Sequence, residues 1–202
     1  MMRTAGWWIM TSLALLVAAY AFALVALPSF RPELVQVHFQ QRPLLVLAHF
    51  LGGGIAMAIG AFQLHAGLRS RFLSTHRWLG RIYIAAVLAG GTAGLVLAIN
   101  STAGPVAQWG FGLLAVAWLA STFNAYRHIR DRNFEQHRAW MIRSYALTLA
   151  AVTLRIYLPA SMIAALPMGT AYSAIAWLCW VPNLLVAEWF VRSRSISPAP
   201  SR

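Results

Sequence analysis

Hydrophobic residues in this chain gather into six long runs, at about 7–27, 44–66, 78–99, 106–126, 140–161 and 172–191. A helix needs roughly 20 apolar residues to cross about 30 Å of hydrocarbon, and each run meets that length. Between the runs stand turn and helix-breaking residues: Pro28 and Pro32, Gly67, the stretch from Asn100 to Pro105, the polar segment 127–136, and Pro167 with Gly169. Trp78, Trp109, Trp140 and Trp189 fall near the ends of runs, where amphipathic rings anchor at the membrane interface. The first run follows Arg3 as a signal peptide would, but its length and its early Trp7 and Trp8 mark a retained helix. The pattern predicts an all-α, polytopic protein with six transmembrane helices. They form a single membrane domain over residues 1–202, ending in a flexible tail at 193–202.

Composition agrees. Of 202 residues, 60% are hydrophobic and only 10% charged, too little polar surface for a soluble domain of this size. The formal net charge is +12, and every basic residue is arginine. On a soluble chain that excess would suggest nucleic acid; on a membrane chain it sets topology, because arginine collects in cytoplasmic loops. With the N-terminus inside, thirteen arginines lie on the inner side and only Arg31 and Arg42 on the outer, while Arg155 falls within a span. The expectation is a protein of the inner (cytoplasmic) membrane with both termini cytoplasmic, contacting anionic lipids on that face and no nucleic acid. The lone cysteine, Cys179, excludes a disulfide framework and a cysteine metal site. No nucleophile triad, phosphate-binding glycine loop or soluble nucleotide domain is present, so an independent hydrolase or NAD-dependent enzyme is not expected.

One motif occurs twice. RSRFLSTHR (Arg69 to Arg77) and RDRNFEQHR (Arg130 to Arg138) share R-x-R-x₄-H-R, with matching residues 61 positions apart. Each copy joins a span running inward to one running outward, so helices 2–3 and 4–5 read as two parallel hairpin repeats forming a four-helix core. At 100° per residue the core helices present small or polar stripes. His49, Gly53, Ala56, Gly60 and Gln63 share a face of helix 2, and His76, Gly80, Tyr83, Val87 and Gly94 one of helix 3. Helix 5 aligns His137, Ser144, Thr148, Ala151 and Arg155. Close packing accounts for the glycines, including Gly90-x-x-x-Gly94. It does not account for His49 or Arg155 at membrane depth, where ionisable groups are costly unless paired or used.

Two sites follow. His76 and His137 open the third and fifth spans, and two imidazoles on opposing helices suit the axial positions of haem b iron, with Arg77 and Arg138 beside the propionates. Headgroup contact is the simpler role for the same histidines. His49 and Arg155 occupy one layer nearer the outer face; they suit a cofactor or quinone contact, with Arg155 holding an anionic group. An outer haem would need a second ligand from outside helix 4, for example His38. His65 and His128 read as interfacial, Glu188 as the partner of an inner arginine, and Pro182 with Asn183 as a kink.

The residues around these sites resemble a bacterial integral-membrane family known as domain of unknown function 2306. His49 with its glycine-rich run, Gln63, HRWLGRIY at the start of helix 3, HRAWMIRSYALTLAAVTLRIYLP in helix 5 and the closing WLCWVPNLLVAEW carry the resemblance, over about residues 43–189. It implies several spans and brings no activity. Its positions are His49, Gln63, His76, Arg77, Tyr83, His137, Arg138, Trp140, Met141, Arg143 and Arg155. More loosely the arrangement is similar to six-helix cytochrome b reductases, from which it departs by lacking a helix 4 histidine opposite His49. The reading is a membrane protein of cytochrome-b-like architecture that binds haem or quinone for electron transfer, through His49, Gln63, His76, Arg77, Tyr83, His137, Arg138 and Arg155. Two rival readings are a non-redox protein whose Arg/His loops bind anionic lipid or a phosphate-bearing partner, and a small transporter using the His49–Arg155 layer.

Overall fold

The computed structural model describes residues 4–195; Arg3, Arg202 and the tail segment 196–202 lie outside the described residues. Within them the chain is helical and contains no strand. Helix α1 is Thr4–Ala26, α2 Glu33–Gln41, α3 Pro43–Gln63, α4 Ala66–Arg71 and α5 Leu73–Ile99. Helix α6 is Pro105–Arg130, α7 Phe134–Thr148, α8 Ala150–Ile163, α9 Met168–Leu178 and α10 Val181–Ser195. Six stretches are long and apolar enough to span a membrane: α1, α3, α5, α6, and the pairs α7–α8 and α9–α10.

The helix ends follow local chemistry. Pro43 and Pro105 open α3 and α6 at the first helical position, where a missing N–H costs nothing. Gly104, before α6, has φ of 88°, a left-handed conformation that favours glycine. Asn133 caps α7, its side chain accepting from the Gln136 N–H at 3.1 Å. Helix α6 ends with Asn133 N–H donating to His128 O (2.8 Å) and Arg132 N–H to Ile129 O (3.2 Å), the paired bonds of a Schellman turn. Its left-handed residue is Arg132, at φ 58°.

That turn falls within the second copy of the arginine motif and has no counterpart in the first. In the first, Arg69 and Arg71 belong to the short helix α4; in the second, Arg130 ends α6 and Arg132 forms the turn. The histidines are placed alike, His76 as the fourth residue of α5 and His137 as the fourth of α7.

Helices α3, α5, α6 and α7 pack in succession, with α3 also meeting α7; α1 lies on α3, and α9 and α10 lie on α6 and α7. The tightest crossing is α3 on α5. A Cβ on Gly52 would sit 2.5 Å from Ala86 O and 2.7 Å from the Gly90 nitrogen, so the two backbones touch there. Near the centre, Gly60 leaves room for the Tyr145 ring, and the Tyr83 ring would be 3.0 Å from a Cβ at that position.

The hydroxyls between these helices form a complete network. Thr122 bonds Ser144 at 2.7 Å, Ser144 bonds Tyr83 at 2.8 Å, and Tyr83 bonds Thr148 at 3.0 Å. Thr148 donates to Ser144 O (3.0 Å), and Trp118 Nε1–H donates to Thr148 (2.9 Å). Thr122 donates to Trp118 O (2.9 Å), so Ser144 donates to Thr122, Tyr83 to Ser144 or Thr148, and Thr148 to Ser144 O; each hydroxyl proton has an acceptor. These groups tie α5, α6 and α7 together.

Both last spans are interrupted, at Leu149 and at Cys179–Trp180. The second break lies just before the Pro182 kink expected from sequence. Asn183 serves the first: its Nδ2 donates to Ala146 O at 3.4 Å and to Thr153 Oγ1 at 3.0 Å. Below the breaks, Arg143 of α7 forms a two-pronged ion pair with Glu188 of α10, with Arg192 Nε 3.8 Å from the same carboxylate. The Arg143 guanidinium also lies over the Trp140 ring, 4.5 Å from its centroid.

Candidate functional site

A cavity of about 470 Å³ occupies the half of the bundle away from the arginine-rich loops. Its walls come from α1, α2, α3, α5, α6, α8 and α9 and from the α7–α8 junction. They are mostly apolar and aromatic, and Thr148 and Trp118 of the hydroxyl network lie at its inner end. His49 and Arg155, expected in one layer from their positions along helices 2 and 5, both line it. The stripe that the sequence places on helix 5 survives the break: Thr148, Ala151 and Arg155 all face the cavity.

His49 is held by α5. Its Nδ1 is 2.9 Å from Gly90 O, and a carbonyl oxygen only accepts, so Nδ1 carries the proton. Gly94 makes the space, since a Cβ there would lie 2.8 Å from His49 Nδ1. The Gly90-x-x-x-Gly94 pair thus has two jobs, meeting α3 closely and seating this ring.

Arg155 is less well served. Its Nη1 donates to Ala151 O, one turn back on its own helix, at 2.9 Å. Its guanidinium lies 5.2 Å from the Tyr20 ring centroid. Its Nε is buried and has no hydrogen-bond partner among the described residues. No carboxylate among them lies within ion-pairing distance. A guanidinium at this depth, with one carbonyl and one aromatic face, is under-satisfied.

The segment before α3 covers the cavity's end. Pro32, Val35 and His38 line it from in front of and within α2, so His38, expected in a loop, is helical and shares the cavity with His49. Arg31 pins this cover: Nε donates to Leu24 O (2.7 Å), Nη2 to Val25 O (3.0 Å), and the guanidinium sits 3.8 Å from the Phe39 ring centroid. Phe39 stacks on Phe50 of α3 at 6.0 Å.

The other sequence-derived site residues lie elsewhere. His76 and His137 are half-buried at the arginine-rich end and do not line the cavity. His137 Nδ1 donates to Ala125 O at 2.8 Å, which leaves Nε2 for another partner. Gln63 is buried, its Nε2 donating to His76 O at 3.2 Å and its Oε1 without a partner among the described residues. Arg77 and Arg138 are exposed. Tyr83 is fully buried in the hydroxyl network rather than at the cavity wall. His65 caps α4, its Nδ1 accepting from Leu68 N–H at 3.2 Å, and its ring meets Trp7 at 4.7 Å.

Sequence reasoning missed the contribution of α1 and α2. Tyr20, Ala21 and Leu24 line the cavity, and among the described residues Tyr20 is the one ring over Arg155. The signal available was the Ala14, Ala18 and Ala21 stripe, all buried, which marks the face that α1 turns inward.

No match is found among curated proteins or among solved structures. A family model described as "Predicted membrane protein (DUF2306)" matches residues 46–191, from α3 to the last turns of α10, and the chain belongs to that family.

Proposed function

We propose that this membrane protein binds a small, mainly apolar molecule with a polar, oxygen-bearing head, of the quinone type, in the cavity between His49 and Arg155. One observation carries the reading: Arg155, half-buried, with no partner for its buried Nε and no carboxylate in ion-pairing distance among the described residues, lines a largely apolar cavity of about 470 Å³. That volume is within the range of small-molecule sites, which are typically about 300–1,000 Å³ with few polar groups. An arginine donor in such a wall supports a ligand that brings an acceptor oxygen.

The test is binding of a decyl-substituted benzoquinone to the detergent-purified chain, by calorimetry. Arg155→Met is expected to weaken binding about tenfold or more, and His76→Ala to leave it unchanged. Equal affinity for Arg155→Met and wild type removes the reading.

A haem held by His76 and His137 is the second reading, supported by the His137 Nδ1–H bond to Ala125 O, the kind of contact that orients a metal-ligating ring. Protein from haem-replete cells should then show a Soret band that is lost in His137→Ala; a colourless preparation rejects it.

A further inference from the structure

The structure assigns a polarity to the cavity, and from it we infer that the preferred ligand is a quinol, a head that both donates and accepts hydrogen bonds, rather than the oxidised quinone. The inference rests on the cavity reading above and narrows it.

The Gly90 carbonyl fixes the His49 proton on Nδ1. In the neutral ring this leaves Nε2 as a bare acceptor, and turning the ring to exchange the two nitrogens would break the bond to Gly90 O. Arg155 offers only donors, one of them unused. The two principal polar residues of the cavity are therefore opposite in kind. A ligand with acceptor oxygens alone, such as a quinone or a carboxylate, can satisfy Arg155 but leaves the His49 acceptor unmet, and an unmet buried group costs more than a hydrogen bond gains. A dihydroxy-aromatic head answers both: one O–H donates to His49 Nε2, and the other oxygen accepts from Arg155.

An aromatic head also fits the walls. Phe50, Phe111, Trp118 and Tyr172 line the cavity, and Gly53 opens onto it with nothing within 4 Å of where its Cβ would be. A flat ring can lie against that glycine, with aromatic faces on the surrounding helices.

Calorimetric titration of the full chain in detergent, under anaerobic conditions, with decyl-benzoquinone and with its borohydride-reduced quinol tests this. The quinol is expected to bind about tenfold more tightly than the quinone, and His49→Leu should bring the two within about twofold of each other. Quinone binding as tight as quinol in wild type, or an unchanged ratio in His49→Leu, overturns the inference and leaves the cavity reading standing. Binding of neither form overturns both. Should His49→Leu fail to fold, ¹⁵N NMR of the histidine-labelled wild type decides the basis directly: the His49 signal must be that of the Nδ1-protonated ring, and an Nε2-protonated ring refutes the inference.

Discussion

At the residue scale, the buried polar groups of this bundle divide by whether their hydrogen-bonding capacity is used up. Tyr83 is at the saturated extreme: its hydroxyl lies 2.8 Å from Ser144 and 3.0 Å from Thr148, and the side chain is fully buried. Tyr83→Phe should cost about 1 kcal/mol, the worth of a hydrogen bond, and show as a lower thermal midpoint with cavity binding intact. Arg155 is at the other extreme. Its charge lies within a span, with a single carbonyl acceptor and an unused Nε. A group retained in that condition costs the ligand-free protein stability. Arg155→Met is therefore expected to raise the thermal midpoint of the ligand-free protein while weakening binding. A fall in the midpoint would show that Arg155 is a structural residue. The opposite signs expected at Tyr83 and Arg155 distinguish a structural network from a binding group.

At the element scale, the helices most firmly joined are those with backbone contact or a charged clip. Arg143 and Glu188 hold α7 to α10, with side chains only 16% and 28% exposed. Removing the carboxylate alone leaves a guanidinium facing apolar surroundings, so Glu188→Ala should cost roughly 2 kcal/mol. The double change Arg143→Met with Glu188→Met should cost less than that single one, and thermal unfolding of the single and double variants reads the difference. The pairing of Glu188 with an inner arginine was legible from charge and depth alone, because four acids among sixteen arginines leave little choice. The break at Leu149 was not. Neither proline nor glycine marks it, and its support, Asn183, comes from the other broken span, a tertiary contact that periodicity cannot register. The two R-x-R-x₄-H-R loops are alike in only part of their backbone. Their histidines take the same helical position, whereas their arginines lie in different backbone settings, because Arg132 adopts a left-handed turn and Arg71 ends a helix.

At the scale of the whole molecule, the six spans were legible because each is a long apolar run, and the His49–Arg155 layer because depth along a helix can be counted from its ends. The cover formed by α2 and the closing of the cavity by α1 depend on how the chain returns over the bundle, and no local pattern encodes that. The arginine distribution leads us to expect the loops around α4 and the α6–α7 turn on the cytoplasmic side. In a Cys179→Ala background, a cysteine at Ser101 should react with a membrane-impermeant maleimide from outside intact cells, and one at Ser74 only after lysis; the reverse pattern would invert the topology. Cys179 itself is fully buried. The break at Leu149 bears on the bundle's motions as well. It leaves Arg155 on α8, which packs mainly on α9, with smaller contacts to α1 and α7 and a hydrogen bond from Thr153 to Asn183 of α10. The segment that would supply the proposed ligand's main donor thus lies outside the close packing of α3, α5, α6 and α7. A bound head would act as the packing that α8 lacks, so occupancy and order of this helix are thermodynamically linked. Amide exchange along α8 should slow on saturation with ligand, while exchange along α7 and α10, held by their ion pair, stays as it was.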